Sequence, residues 1–402
     1  MVWDAVGRTS LPEALLYFHA LPEGLVHKGP RKAMRRAIVC VTNDLGTDNR
    51  VHRTCVVLRE LGWDVLLVGR ELPGSLPLQR PYGTQRMKLL FRKGALFYAE
   101  FNLRLFLLLI QRKAGLIVAN DLDTLLASFL AARLNGSELV YDSHEYFTEV
   151  PELQGRAARR VWLALERWIF PKLRHVITVN ESIAQAYRSR YGIDLTVVRN
   201  IPMHRELGPL PLRRELDLPE DRFILILQGS GINVQRGAEE AVLAMRELPD
   251  CLLLLVGGGD AWPVLERMVQ EHDLQDRVRL LPRMPYERMM QYTRNADLGL
   301  SLDKDTNLNY RYSLPNKLFD YFRAHIPALV TDLPEVAGIV RRCDAGVVIP
   351  APEPARIAAE VKALMGDEHR RSALRQNAIF AAASLDGERE KAVLTALFDG
   401  LD

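Results

Sequence analysis

A lysine at a predicted helix start, a histidine set among acids and two glycine-rich loops are the residues of this 402-residue chain with most chemistry to offer. In Ser313-Leu314-Pro315-Asn316-Lys317-Leu318-Phe319-Asp320, Pro315 suits a first helical turn, so Lys317 puts a cation where the helix macrodipole favours acids. A cation added to a positive helix end makes sense where an anion binds; the plainer reading is a solvated surface lysine. Asp320 lies three residues on, on the same face, where it could accept hydrogen bonds from a ribose diol. His144 follows a predicted strand, within Asp142-Ser143-His144-Glu145, in a loop where a core histidine would be unusual. An imidazole there can donate or accept hydrogen bonds to a sugar near neutral pH. The glycines of Gln228-Gly229-Ser230-Gly231 and Gly257-Gly258-Gly259-Asp260 carry no Cβ, so backbone N–H groups can approach phosphate oxygens. Neither loop completes G-x-G-x-x-G, and no G-x-x-x-x-G-K-[ST] occurs, which argues against a Walker-type ATPase. Taken singly, each loop reads as a tight turn before it reads as a phosphate cradle.

The elements that must position these residues alternate regularly. Short apolar runs at 37–41, 64–68, 115–119, 138–141, 175–179 and 195–198 are mostly separated by helical spacing, such as Val51, Cys55, Leu58 and Leu61. The pattern breaks at Asn200-Ile201-Pro202 and through 209–221, then restarts at 223–227, 251–256, 278–281, 297–301 and 328–331. This predicts an α/β fold: two Rossmann-like, doubly wound parallel-sheet domains facing a cleft, followed by C-terminal helices. The expected divisions are an N-terminal extension over 1–34, a first domain over 35–202, a second over 203–384, and a C-terminal helix within 385–402 that could return to the first. In open parallel sheets, ligands sit beyond the carboxyl ends of strands. That rule gathers Thr42-Asn43-Asp44, Asn120-Asp121 and the His144 loop with both glycine loops around one nucleotide-type ligand.

Lys+Arg 53 against Asp+Glu 50 gives a net charge of +3, too weak to suggest a nucleic-acid partner. Four scattered cysteines form no C-x-x-C pair and read as small buried side chains in a reducing compartment. No H-x-x-x-H or clustered carboxylate spacing appears, so no metal is expected. His52 and His325 read as structural or surface residues. Pro12, Glu13, Pro22, Glu23 and Gly24 interrupt any signal-peptide core, and the longest apolar run, 105–110, falls far short of the ~20 residues of a spanning helix. A cytoplasmic protein is therefore expected; residues 1–33 precede Met34, itself a natural start. Between 86 and 113, basic residues such as Arg92, Lys93 and Arg104 interleave with Phe97, Phe101 and other apolar ones. The segment is either a basic amphipathic helix on an anionic membrane surface, at its inner face, or a core helix with snorkelling arginines.

Asn43-Asp44 through Val51, Ala119 through Asp123, Tyr141 through Glu145, Arg199-Asn200, Gln228 through Asn233 with Arg236-Gly237, and Ser313 through Tyr321 follow one another over residues 35–385. In that order they resemble the GT-B glycosyltransferases, closest to the retaining family-4 nucleotide-sugar enzymes of bacterial cell-surface polysaccharide synthesis. The resemblance implies transfer of a sugar, with retention, from a nucleotide-diphosphate donor to a hydroxyl acceptor, lipid-linked or polysaccharide, without cofactor or metal. It puts His144, lining the donor sugar, and Glu145 at the catalytic centre, and Arg236 in place of a lysine that pairs with the diphosphate. Lys317, the Leu314 and Asn316 backbone, Gly229, Ser230 and Gly231 would flank the phosphates. Asp320 would sit where a ribose-binding Glu lies, with Gly257 and Gly258 on the nucleoside side. Asn43, Asp44, Asp121, Asp142, Tyr312 and Ser313 would line the donor-sugar or acceptor cleft.

The chain departs from the family pattern at three places. Asp320, one methylene shorter, is the second acid of Glu-x7-Glu; Tyr312 stands at the first; and Ser230-Gly231 occupies the usual Gly-Arg. Competing readings are a sugar-nucleotide epimerase of the same fold and a catalytically inactive sugar-nucleotide-binding homologue, which the Tyr312 and Asp320 changes favour. A phosphorylase would need a pyridoxal-phosphate lysine that is not identifiable. A dinucleotide oxidoreductase would need G-x-G-x-x-G after the first strand.

Overall fold

Two runs of apolar strands build two sheets. The computed structural model describes residues 35–401 apart from 47, 76, 204 and 230, so the extension over 1–34 and Ser230 lie outside the described residues. Strands β1 (Arg36–Cys40), β2 (Asp64–Arg70), β3 (Gly83–Met87), β4 (Leu116–Asn120), β5 (Glu138–Ser143), β6 (His175–Thr178) and β7 (Thr196–Val197) form the first. Its order is β3-β2-β1-β4-β5-β6-β7. The second contains β8 (Phe223–Gly229), β9 (Cys251–Gly257), β10 (Val278–Pro282), β11 (Leu298–Ser301), β12 (Ala328–Thr331) and β13 (Gly346–Ile349), in the order β10-β9-β8-β11-β12-β13. Pairing is parallel in both, as in β1 with β2 and β4, and β8 with β9 and β11. Leu252, Leu253, Leu254 and Leu255 show why: all are buried, alternately on opposite faces, so only a sheet covered on both sides can hold them. Each sheet changes winding direction at its first strand, β1 or β8, and there the carboxyl-end loops diverge.

Caps and close contacts fix the helices that matter to the site. Asp48 accepts from the Val51 N–H at 3.0 Å to start the Asn49–Glu60 helix. Asn180 does the same for Ile183 at 2.9 Å to start Glu181–Tyr191. After the helices Pro354–Gly366 and Glu368–Ser384, the last helix, Gly387–Asp399, returns to the first sheet. Its Leu394 and Phe398 join Val51, Cys55 and Leu58 in one core cluster, and Glu390 accepts from the Arg199 N–H at 2.6 Å.

The expectation that no segment reaches spanning length needs correction. Gly94–Arg112 is a 19-residue helix, long and apolar enough by length and composition to cross a membrane. Counting uninterrupted apolar residues hid it, because single polar residues such as Asn102 and Arg104 break the run without making the helix polar. Phe97, Phe101, Leu105 and Leu109 are buried in the first lobe, so one face of this helix is core.

Candidate active site

His144 is the first residue beyond β5, and the loop after β4 holds it. Asp121 sits at φ +58°, anchored by its own N–H to the Asp142 carbonyl at 2.9 Å, and its Oδ1 accepts from the His144 N–H at 2.9 Å. Around the ring, Nε2 lies 3.0 Å from Asn120 Oδ1 and 3.6 Å from Asp142 Oδ2. Nδ1 lies 3.5 Å from Asp121 Oδ2 and 3.8 Å from Asp48 Oδ2. Burial alone would push the imidazole down, but the carboxylates of Asp121, Asp142 and Asp48 outweigh it and push it up to about 9. At neutral pH both ring nitrogens carry protons, so His144 is a cationic donor rather than a base.

The carboxylates nearby divide into two kinds. Asp142 is buried, yet Arg50, at 2.6 Å from Oδ1 and 3.0 Å from Oδ2, holds its carboxyl well below the usual range. It supports His144 from behind rather than lining a cleft. Burial, reinforced by Asp121, pushes Glu145 up to about 7, although Asn309 Nδ2 donates to it at 3.1 Å. Asp123 is likewise pushed up to about 7 by burial and Asp121; Thr42 Oγ1 donates to it at 2.6 Å and its other oxygen has no partner among the described residues. Glu145 and Asp123 are therefore carboxyls able to exchange a proton near neutral pH. Asp123 was not among the expected site residues, although it stands two positions beyond Asp121.

In the second lobe two cations converge. Asp303, 2% exposed, follows β11. Arg236 Nη1 donates to its Oδ1 at 3.1 Å, and Lys317 Nζ lies 3.9 Å from its Oδ2. The Arg236 guanidinium also covers the Tyr310 ring at 4.5 Å. One carboxylate facing two cations leaves the cluster positive. Burial pushes the Lys317 pKa down; Asp303 works against that shift and Arg236 adds to it. Gly237 lets the chain pass: at φ +78°, a Cβ there would fall 2.2 Å from the Leu302 carbonyl oxygen. Asp303 was missed, yet the strand-end rule would have found it, since it follows the predicted 297–301 run.

The glycine loops lie on each other. Ile232 N–H donates to the Gly258 carbonyl at 2.7 Å, and a Cβ on Gly257 would sit 1.8 Å from the Gly229 oxygen. Gly257 is thus required by its neighbour, while Gly231 meets only the Asn233 side chain, no closer than 3.6 Å. Asn316 stands just before the Lys317–Arg323 helix without a side-chain capping hydrogen bond, and Pro315 precedes it instead of occupying the first turn; Leu314 packs against the core of the second lobe. Asp320 is buried, with Tyr286 donating to Oδ1 at 2.8 Å and Gln228 Nε2 to Oδ2 at 3.2 Å. Burial pushes it up to about 6. Each of its oxygens already accepts from the protein, so a ribose would have to share them.

Several expected cleft residues already have structural partners. Asn43 is exposed, and its carbonyl accepts from Arg70 N–H. Asp44 binds Ser75 Oγ, Gly46 N–H at 2.9 Å and Arg86 at 3.0 Å, fastening the edge loops of the first sheet. Tyr312 stacks on Tyr146 at 6.3 Å between ring centroids, while its carbonyl accepts from Asn180 at 2.6 Å, so it joins the lobes. Ser313 N–H closes the turn onto Tyr310 O. Asn309 completes the seam by accepting from Tyr146 N–H at 3.0 Å while donating to Glu145. Among the described residues, no group of three His, Cys, Asp or Glu side chains is arranged to hold a metal.

Two parallel-sheet α/β lobes whose carboxyl-end loops meet at such a site have the arrangement of the GT-B glycosyltransferases. Family models agree: Glycosyltransferase Family 4 matches residues 46–202 and Glycosyl transferases group 1 matches residues 211–379. The chain belongs to the family-4-like GT-B glycosyltransferases and is a transferase. It is 23% identical to the chitobiosyldiphosphodolichol beta-mannosyltransferase of Candida glabrata, over 84% of each chain. In fold it is similar to sucrose-phosphate synthase from Thermosynechococcus elongatus, with a TM-score of 0.76, 18% identity and coverage of 92% of this chain and 99% of that one. It is also similar to HepE of Anabaena, solved with UDP and glucose, with a TM-score of 0.72, 15% identity and coverage of 91% and 100%.

Proposed function

We propose that the chain moves a sugar from a nucleotide-diphosphate donor to a hydroxyl of a lipid-linked or polysaccharide acceptor, with retention, in the cytoplasm. The observation that carries this reading is the convergence of Arg236 and Lys317 on one buried carboxylate, Asp303. As the glycosidic bond breaks, charge builds on the departing diphosphate, and cations fixed in advance stabilise it without rearranging. The charge is met by the chain's own side chains, with no metal or organic cofactor invoked. His144, held as a cation, donates to the sugar. On a front-face route the departing diphosphate oxygen takes the acceptor proton, and Glu145 lies at the seam where lobe closure would exclude water. The solved relative holding UDP and glucose supports a donor of this class, and the curated relative's name supports a lipid-diphosphate acceptor.

Incubation with UDP-, GDP-, ADP- and dTDP-sugars, each with lipid-linked and saccharide acceptors, tests it. Acceptor-dependent transfer with the donor's anomeric configuration kept is the expected result. Conversion of donor without acceptor would make the chain an epimerase, and donor binding without turnover on any acceptor would make it inactive.

A further inference from the structure

The loop between β3 and the Gly94–Arg112 helix holds apolar side chains out into solvent and is fastened while it does so. Leu90 is 80% exposed and Phe91 42%. Yet their backbone N–H groups donate to the Glu100 carboxylate at 2.9 and 3.0 Å, and Arg104 pairs with that carboxylate at 2.7 Å. Along the helix Leu96, Leu103 and Leu107 are exposed and recur at i, i+7 and i+11, on the face opposite the buried Phe97, Phe101, Leu105 and Leu109. The helix is therefore apolar on both sides, one against the core and one outward. Single exposed leucines need no explanation, but a row of them continuous with a pinned loop does.

Beside the loop lies a cavity of about 300 Å³, lined by Arg70, Lys88 and Arg92 together with Leu89, Phe91 and Phe97. Arg70 stacks over the Phe97 ring at 4.7 Å, and its Nε is buried with no partner among the described residues. The acid in the lining, Glu71, is 3.8 Å from Lys88, so three cations face one carboxylate. A basic cavity bordered by outward apolar side chains matches the two layers of an anionic lipid surface: phosphate in the cavity, acyl chains against the leucines.

We propose that loop 88–93 and the outward face of the Gly94–Arg112 helix dock the chain on an anionic phospholipid bilayer, with a lipid phosphate seated between Arg70, Lys88 and Arg92. This goes beyond the donor reading and does not rest on it. Because the first sheet is parallel, β2 and β3 end on the same edge as β5, so the docking surface and His144 share one edge of the lobe.

Sedimentation of the full chain with phosphatidylcholine vesicles, with and without phosphatidylglycerol, tests the assignment. The chain should follow the anionic vesicles, follow the neutral ones far less, and be released by salt. Leu90→Asp with Leu103→Asp should lose at least about tenfold in partition, since each leucine contributes several buried CH₂ groups. Replacing Lys88 or Arg92 by Gln should lose about fivefold each. The replaced leucines are exposed, so melting and nucleotide-induced stabilisation should be unchanged, which separates failure here from failure of the donor reading. Equal sedimentation with both vesicle types, or parental binding by the leucine variant, would overturn the proposal. So would a leucine variant that alters only oligomeric state in gel filtration, which would give this face to a second copy of the chain.

Discussion

The two lobes arrange charge in opposite ways around the same seam. In the first, one histidine sits among Asp48, Asp121 and Asp142, and acids outnumber cations even with Arg50 included. In the second, Arg236 and Lys317 share Asp303, and cations outnumber acids. A surplus of positive charge is what a diphosphate requires. A surplus of carboxylate around a protonated imidazole is what keeps a hydrogen-bond donor fixed and charged beside a sugar. On the proposed function, the lobes divide the labour of the reaction, one to hold the leaving group and the other the reacting sugar.

The most severe way to break this contrast is to remove the second lobe's surplus. Arg236→Ala with Lys317→Ala, carrying Asp303→Asn so that no carboxylate is left buried and unpaired, should lower kcat/KM by about 10²–10³ while the chain still melts cooperatively. A parental rate in steady-state transfer assays would end the division of labour. Next is His144→Gln, expected to cost about tenfold to a hundredfold in kcat, with a second signature in stability. Because the folded pKa of His144 is raised from 6.5 to about 9, its stabilisation is full below 6.5 and is lost as pH rises through about 9. Parent melting temperature should therefore fall across that window, and the fall should be smaller in the variant.

Asp303→Asn alone sharpens the comparison. It leaves two neighbouring cations without their shared anion, so the free protein should melt lower, and a bound nucleoside diphosphate should raise its melting temperature more than the parent's. The smallest effect belongs to the seam. Asn309→Ala should cost about 1 kcal/mol of stability from denaturant titration. By removing a donor from Glu145 it should also move that carboxyl's titration upward in the pH–rate profile.

Local pattern carries what is legible in the amino-acid sequence alone. Residues such as Leu252–Leu255 fix a doubly covered strand by themselves, and the loop holding His144 follows directly from the strand before it. β3 escapes such reading because Gly83-Thr84-Gln85-Arg86 is polar and lies at a sheet edge, where neither face demands an apolar run. What the sequence does not show of the site shares one cause: the partner is distant in sequence. Asp44 looks available in the sequence, but Arg86 claims it; Tyr312 meets Tyr146, and Asp320 is reached by Tyr286 and Gln228. Residue type and strand-end position locate a site; whether a carboxylate in it is already engaged is decided by tertiary contacts.

The proposed grip of Arg236 and Lys317 on a donor diphosphate is tested most directly by thermal shift with UDP, GDP, ADP and dTDP on the parent and on the Arg236/Lys317/Asp303 variant. At least one nucleotide should raise the parent's melting temperature, and that nucleotide should leave the variant's unchanged. Equal stabilisation of both proteins by the same nucleotide would contradict the account.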